Sequence, residues 1–300
     1  MKVLVLSEHD VTELLTMREC IAVMEEALVA LARGEVHNPL RQAIRAPGAN
    51  GLLGLMPAFR GGGTPYYGLK EVCVFPENPK RGLDTHLGAV ILHSGETGEP
   101  LAFMNAAAIT AIRTAAVSAV ATNLLARKDA AVLAVIGTGV QGRSHAAAIP
   151  LVRDIREIRM CGRGESVQDA VRRADIVVTA TSAREPILQY AWLSEGAHVN
   201  AVGSSVASAR ELEAELVENA SLFVDRREST IHESGDYLAA KNATIRAEIG
   251  DVLAGKAEGR KSEREITLFK SLGLAVEDLA AAAFLFEKAR RAGRGAWVDF

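Results

Sequence analysis

A glycine-rich motif in the middle of the chain carries the clearest chemical signal. Residues 137–142 read GTGVQG, a complete G-x-G-x-x-G that directly follows the apolar run AAVLAVI. Gly137 permits a tight turn, Gly139 lets a pyrophosphate approach the backbone, and Gly142 lets the following helix pack closely on the strand. The helix N-terminus then faces the phosphates. The motif therefore predicts a dinucleotide site, and a glycine-rich turn without a ligand is the alternative.

The end of the next strand bears on which dinucleotide is expected. An NAD site usually offers Asp or Glu there to the ribose 2′-hydroxyl. Here the strand ends in MCGR, with no acid at the tip, and Arg163 suits a 2′-phosphate. We expect NAD or NADP, with NADPH slightly favoured. The alternative is that Arg163 is a solvated surface residue.

Three basic residues stand in or beside apolar stretches. Arg113 is the only charge in NAAAITAIRTAAVSAVATNLLA, and a buried guanidinium needs an anion near it. That anion is either an internal carboxylate or a ligand's carboxylate or phosphate. Lys70 lies among apolar strand residues, where it either binds a ligand or guards an edge strand. Taken with Arg41, which opens the same β-rich region, they suggest a clamp for a carboxylate.

Composition argues against several other classes of protein. The 300 residues are 49% hydrophobic and 24% charged with a net charge of −3, which is globular and lacks a basic footprint for nucleic acid. The N-terminal apolar run is too short for a signal peptide or membrane span, and three scattered cysteines fit a reducing compartment. We expect a cytoplasmic protein that contacts no membrane. No metal-ligand spacing occurs, and His86 is the one histidine of interest.

The elements that must position these residues fall into two patterns. Thr16 and Glu19 form a capping box for a helix that Gly34 ends. The runs LLGLMPAF, YYGLKEVCVF and LGAVILHS predict strands, and residues 105–127 predict one long buried helix. This pattern indicates a sheet-dominated first domain over residues 1–119.

Strands alternate with helical stretches from residue 130 onward. The runs AAVLAVIG, IREIRMCG, DIVVTAT, AHVNAVG and SLFVD predict a parallel, doubly wound sheet. The fold class is therefore α/β, with a Rossmann domain over 120–270 beside a β-rich α+β domain. The segment FKSLGLAVEDLAAAAFLFEKARRAG predicts an amphipathic helix, and residues 271–300 are expected to return to the first domain.

Motifs spread along the chain resemble the ornithine cyclodeaminase/μ-crystallin family. They are PLR at 39–41, GLMP at 54–57, Lys70, IRTAA at 112–116, GTGVQ at 137–141, NAVG at 200–203 and FKSLG at 269–273 with the later Glu277-Asp278. The resemblance implies a homodimer whose Rossmann domain holds NAD(H) or NADP(H). It implies that Arg41, Lys70 and Arg113 grip the substrate carboxylate beside the nicotinamide. On the cofactor side it implies Val140, Gln141, Arg163, Thr181, Val202, Gly203, Ser204, Ser271 and Leu272.

Departures from the family pattern refine the expected activity. True ornithine cyclodeaminases carry a glutamate and an aspartate where this chain has Gly54 and Ser205. Without these carboxylates the acid–base groups for ring closure and ammonia loss are missing. The chain instead resembles the μ-crystallin-type ketimine reductases and related alanine dehydrogenases. We expect hydride transfer to or from C2 of a small imino or amino acid, with Lys70 as the catalytic residue that orients the substrate and polarises or protonates the imine nitrogen.

Two other functions fit the same residues. A lyase of the ornithine cyclodeaminase type would regenerate its NAD in each cycle, and a non-catalytic μ-crystallin-like protein would store NADPH or a small ligand.

A second departure from the family pattern lies between Arg163 and Ser166, where relatives insert a helix and an edge strand and this chain has almost nothing. Either the third strand of the 3-2-1-4-5-6 order is missing or a loop is absent from the sequence.

Overall fold

The computed structural model describes all 300 residues and divides them into two compact units. Unit 1 comprises residues 1–113 and 274–300, and unit 2 comprises residues 114–273. The sequence pattern places the corresponding boundaries at 119/120 and 270/271. The first boundary falls inside a helix, where the apolar pattern continues unchanged and leaves no local signal.

Unit 1 is built on an eight-stranded sheet. Its strands are β1 (Lys2–Leu6), β2 (Val36–His37), β3 (Gln42–Ile44), β4 (Leu52–Arg60), β5 (Tyr66–Val74), β6 (His86–Ser94), β7 (Pro100–Asn105) and β15 (Ala296–Asp299). The order is β15-β1-β7-β6-β5-β4-β2, with β3 also paired to β4, and β4 to β7 form an antiparallel meander. Its helices are α1 (Glu8–Leu14), α2 (Met17–Ala32) and α10 (Ala275–Ala292). The predicted strands of the first domain are thereby confirmed.

The central strand β5 shows how this sheet is covered. Tyr66, Gly68 and Lys70 are buried, while Tyr67 between them is exposed. Side chains alternate between the two faces of a strand, so the buried set shares one face. A Cβ on Gly68 would lie 2.8 Å from Leu279 Cδ1, so glycine lets α10 lie close to this face. Lys70 therefore lies on the face that α10 covers.

Two predicted helices are confirmed. The Thr16 side chain accepts a hydrogen bond from the Glu19 N–H, the Glu19 carboxylate accepts one from the Thr16 N–H, and Gly34 ends the turn after α2 with φ 77°. The long apolar helix is α3 (Ala106–Leu125). By length and composition α3 could cross a membrane, but 72% of its apolar window is buried inside the protein, as in the core helix of a soluble protein.

Unit 2 contains a seven-stranded, fully parallel sheet. Its strands are β8 (Val132–Ile136), β9 (Glu157–Cys161), β10 (Ile176–Thr179), β11 (His198–Ala201), β12 (Ser221–Val224), β13 (Ile245–Glu248) and β14 (Thr267–Lys270). The order is β13-β12-β14-β11-β10-β8-β9. Its own helices are α4 (Val140–Ala148), α5 (Val167–Val171), α6 (Ala214–Asn219), α7 (Arg227–Glu233), α8 (Gly235–Ala239) and α9 (Ile249–Leu253). The predicted α/β class with a parallel sheet is confirmed.

One predicted element is wrong at its start. The segment that begins with Phe269 was predicted to be helical, but Thr267–Lys270 is strand β14 between β11 and β12, and the helix begins only at Ala275. All four residues of β14 are buried. A strand buried on both faces shows no alternation of polar and apolar residues, so its pattern resembles that of a buried helix.

The edge of the parallel sheet shows how the short connection is built in this chain. Strand β9 is the last strand on its side, and only the short helix α5 lies between β9 and β10. The sheet therefore forms without the third strand of the 3-2-1-4-5-6 order. The sixth position of that order, beside β11, is occupied by β14, although β14 follows β12 and β13 in the chain.

Candidate functional site

The turn between β8 and α4 has the geometry of a dinucleotide-binding loop. A Cβ on Gly137, where φ is 113°, would lie 2.4 Å from Ala180 O, and a Cβ on Gly142 would lie 1.8 Å from Gly137 O. Both glycines are therefore required by close packing. A Cβ on Gly139 would meet nothing within 4 Å. The space beside Gly139 suits a pyrophosphate against the backbone.

The first turn of α4 adds electrostatic character to this loop. Gly139 is the N-cap residue of α4 and supplies no side-chain hydrogen bond to the turn. Backbone N–H groups at such a terminus and the helix dipole attract an anion. Val140, the first residue of α4, is 57% exposed, and Gln141 follows it. The residues present fit the phosphates of a nicotinamide dinucleotide.

The remaining predicted cofactor-side residues share one position in the sheet of unit 2. Each follows the carboxyl end of a strand, and in a parallel sheet these ends lie along one edge. Arg163 follows β9, and Thr181 follows β10. Val202, Gly203 and Ser204 follow β11, and Ser271 and Leu272 follow β14.

A buried carboxylate that the sequence prediction missed connects two of these loops. Glu211 is fully buried, and its carboxylate accepts hydrogen bonds from Thr179 Oγ1 at 2.8 Å, from Thr181 N and Oγ1 at 2.7 Å each, and from Gly203 N at 2.8 Å. Glu211 therefore holds the ends of β10 and β11 in a fixed arrangement. Nothing in the local pattern ARELEAEL marks this glutamate, because its partners lie on two other strands.

A second buried group continues this network. Asp236 accepts a hydrogen bond from the Glu211 N–H at 2.8 Å, and its other oxygen lies 2.8 Å from Lys270 Nζ. Lys270 donates to Ser204 O at 2.6 Å. Both charged side chains are at most 2% exposed, so the pair stabilises the loop only because each partner compensates the other. A lysine at the end of the otherwise apolar strand TLFK was the available sequence signal.

Two of the predicted cations of unit 1, Lys70 and Arg113, lie against two acidic residues of α10. Lys70 Nζ lies 3.2 Å and 3.4 Å from the two oxygens of Asp278. Arg113 Nε lies 3.1 Å from Asp278 Oδ1, and Arg113 Nη1 lies 2.7 Å from Glu277 Oε2. All four side chains are buried. Of the two anions considered for Arg113, the structure contains the internal carboxylate.

Lys70 is not an edge-strand guard, because β5 lies between β4 and β6. Burial lowers the pKa of Lys70 to about 8; the Asp278 carboxylate opposes this shift, and the charges of Arg113 and Arg41 add to it. The half-buried Arg41 thus lies near enough to interact with Lys70. Of the three cations named from the sequence, Lys70 and Arg113 share one carboxylate, and Arg41 acts on Lys70 through its charge.

His86 belongs to the same neighbourhood. It is the first residue of β6 and pairs with Val74 of β5, on the strand that carries Lys70. Burial and the nearby Lys70 charge lower the pKa of His86, and Asp84 acts in the opposite direction. This shift favours the neutral imidazole, and the side chain remains exposed.

Comparison with known proteins identifies what this arrangement resembles. Residues 1–293 match the ornithine cyclodeaminase/mu-crystallin family. The chain is 38% identical over 288 residues to the ketimine reductase mu-crystallin of Mus musculus, covering 89% of this chain and 91% of the relative.

Two solved structures agree with the chain over its whole length. The Thermococcus litoralis Delta(1)-pyrroline-2-carboxylate reductase, in complex with NADH and L-proline, is 37% identical with a TM-score of 0.93, covering 99% of this chain and 100% of that one. An archaeal alanine dehydrogenase dimer with bound NAD is 34% identical with a TM-score of 0.93 and full coverage of both chains.

Proposed function

Because the chain belongs to the ornithine cyclodeaminase/mu-crystallin family, we propose that it reduces a small cyclic 2-imino acid to the corresponding amino acid with NAD(P)H. The observation that carries the proposal is the contact of Lys70 and Arg113 with the same Asp278 carboxylate in unit 1, with the Arg41 charge acting on Lys70. A relative that is 37% identical binds NADH and L-proline, which supports a cyclic product.

The roles of the residues follow from their charges. Arg41 and Arg113 bind the substrate carboxylate, and Asp278 holds Lys70 and Arg113 at a fixed separation by contacting both through Oδ1. The dinucleotide, when bound, supplies the hydride that forms the new C–H bond at C2. The Lys70 ammonium donates a proton to the nitrogen, so that the C=N double bond becomes an amine. A Lys70 pKa of about 8 suits this exchange near neutral pH.

Reversible oxidation of alanine is the second candidate. The archaeal alanine dehydrogenase matches the chain with the same TM-score as the reductase, 0.93. Lyase activity is less favoured, because Gly54 on β4 pairs with Val72 of β5, two residues from Lys70, and offers no carboxylate there.

A substrate panel tests the proposal. Δ1-pyrroline-2-carboxylate, Δ1-piperideine-2-carboxylate, pyruvate with ammonia, and ornithine are each incubated with NADH and with NADPH. We expect stoichiometric oxidation of the dinucleotide with a cyclic imine and release of the cyclic amino acid. Ammonia release from ornithine without net oxidation would indicate the lyase instead, and cofactor binding without any turnover would indicate the storage protein.

We also propose that the protein is a homodimer formed through the exposed face of the unit 1 sheet. The face opposite α10 carries partly exposed apolar side chains, among them Leu55, Phe59, Tyr67, Leu69 and Ile91. An antiparallel sheet that faces water usually alternates polar residues there, so an apolar face indicates an interface. One structural relative is a dimer.

Light scattering during size-exclusion chromatography tests this assembly. The wild-type chain is expected to elute with twice the mass of its 31.9 kDa protomer. Leu69→Glu places a charge in the proposed interface and is expected to yield monomers. Leu238→Glu, at an exposed position of unit 2, is the matched control and should leave the mass unchanged.

We also propose a cytoplasmic location, because the cysteines are unpaired in the structure as the sequence predicted. The free cysteines Cys20, Cys73 and Cys161 fit a reducing compartment. Fractionation of cells that express the full chain tests this proposal, and recovery of the chain with membranes or the medium would contradict it.

A further inference from the structure

The turn that follows β9 carries a carboxylate at a position where the sequence indicates none. Glu165 N donates to Gly162 O at 3.3 Å, which closes a four-residue turn, and the Glu165 carboxylate accepts a hydrogen bond from Gly162 N at 2.5 Å. Gly164, the third residue of the turn, has φ 89°, a conformation that glycine adopts without strain. The prediction that no acid lies at this tip is therefore wrong. It failed because the acid comes after the strand and returns through the turn.

The position of this carboxylate relative to the glycine loop is defined by the sheet. Gly137 N donates to Cys161 O at 2.9 Å, which places the loop directly beside the end of β9. A Cβ built on Gly162 would lie 3.5 Å from Glu165 Oε2, 3.6 Å from Thr138 Cγ2 and 3.8 Å from Thr138 Oγ1. The Glu165 carboxylate and the second residue of the glycine motif therefore border the same small space.

We propose that Glu165 selects NAD(H) over NADP(H) in this chain, an inference that rests on the proposed dinucleotide-dependent function. A carboxylate beside the glycine loop accepts hydrogen bonds from the ribose 2′-hydroxyl. One Glu165 oxygen accepts a hydrogen bond from Gly162 N–H, which fixes the side chain. The carboxylate retains further acceptor sites for the ribose hydroxyl. A 2′-phosphate at the same point carries a charge of about −2. The Glu165 carboxylate would repel this charge, which disfavours NADP(H).

Arg163 provides the contrast that makes the assignment specific. It is the second residue of the same turn and is exposed, and no hydrogen bond or ion pair holds its guanidinium. Glu165 is anchored to the backbone beside the loop, whereas Arg163 must be ordered by the ligand at a cost in side-chain entropy. Because the carboxylate is the fixed group, we expect a preference for NAD(H). Arg163 alone would indicate NADP(H).

The missing third strand explains why this residue is available. Only α5 separates β9 from β10, and Glu165 directly precedes Ser166, the N-cap residue of α5. The Ser166 side chain accepts a hydrogen bond from Asp169 N and so fixes the start of α5. The short connection thereby brings a residue that precedes the next helix back to the tip of the strand.

Binding measurements on the full-length protein test the assignment without depending on turnover. Dissociation constants for NADH and NADPH are measured by titration calorimetry for the wild type, Glu165→Gln, Glu165→Ala and Arg163→Ala. Wild type is expected to bind NADH at least about tenfold more tightly than NADPH. Glu165→Gln keeps an acceptor for Gly162 N–H but removes the charge, and should reduce this ratio about tenfold, as should Glu165→Ala. Arg163→Ala should change this ratio less than Glu165→Gln does.

The outcomes separate this assignment from the proposed function. A wild-type preference for NADPH, or a ratio unaffected by both Glu165 variants, would overturn the role of Glu165 while leaving dinucleotide binding intact. Loss of NADPH binding in Arg163→Ala with an unchanged ratio in Glu165→Gln would assign selection to Arg163. Failure of the wild type to bind either dinucleotide would overturn both proposals.

Discussion

Buried charge serves different purposes in the two units. In unit 1, Lys70 and Arg113 are buried beside carboxylates of α10, and their own charged ends are the groups proposed to meet the substrate. In unit 2, Glu211, Asp236 and Lys270 are buried equally deeply, but their partners are mostly loop groups of the chain itself. The groups proposed to meet the phosphates of the dinucleotide there are backbone N–H groups. Replacing a buried charge should therefore impair chemistry in unit 1 and loop geometry in unit 2.

The largest effect is expected for Lys70→Met. This change removes the proposed proton donor and should lower kcat by about 100-fold or more, because positioned acid–base groups contribute on that order. The dissociation constant for NADH, measured by fluorescence quenching, should stay within about twofold of wild type. Undiminished turnover with a cyclic imine would remove Lys70 from the mechanism.

A large loss of stability is expected for Asp236→Asn. The change leaves the Lys270 ammonium buried without its anion, which costs about 3–5 kcal/mol of unfolding free energy. Urea denaturation followed by circular dichroism measures this loss. The matched control is Glu185→Gln, which breaks the exposed pair with Arg210 and should cost at most about 1 kcal/mol. Equal losses in the two variants would contradict the distinction between the buried and the exposed pair.

A pH profile sharpens the role of Lys70. Its pKa of about 8 means that the proton-donating form predominates below that pH and is lost above it. The value of kcat/KM for imine reduction should therefore fall about tenfold per pH unit above the pKa of the free enzyme. In Lys70→Arg the residual activity should lack this decline, since a guanidinium does not titrate in this range. A decline retained in that variant would assign the titration to another group.

The smallest effects are expected for two alanine substitutions in the glycine loop. One should change the affinity for the cofactor and the other the stability of the fold. Gly139→Ala enters open space and should weaken NADH binding about tenfold without changing the melting temperature. Gly142→Ala meets Gly137 O and should lower the melting temperature, because the helix and the loop must separate. The opposite pattern in calorimetry would contradict the assignment of ligand-facing and packing glycines.

The relatives confirm the family and the prediction of an NAD(P)-dependent oxidoreductase. Neither follows from any single residue. The glycine motif was readable because its strand, turn and helix are contiguous, so local geometry reveals the site. Arg113 stood out because a lone charge in a twenty-residue apolar helix must be compensated.

The sequence alone determined the periodic elements, the glycine loop and the presence of unusual buried cations, because these depend on neighbours within a few residues. Only the tertiary structure decided which carboxylates compensate those cations, that Glu211 joins two strand ends, and that Glu165 returns to the tip of β9. The Arg113–Glu277 pair spans 164 positions of the chain. Such contacts arise where strands and helices pack, and the local pattern of residues carries no record of them.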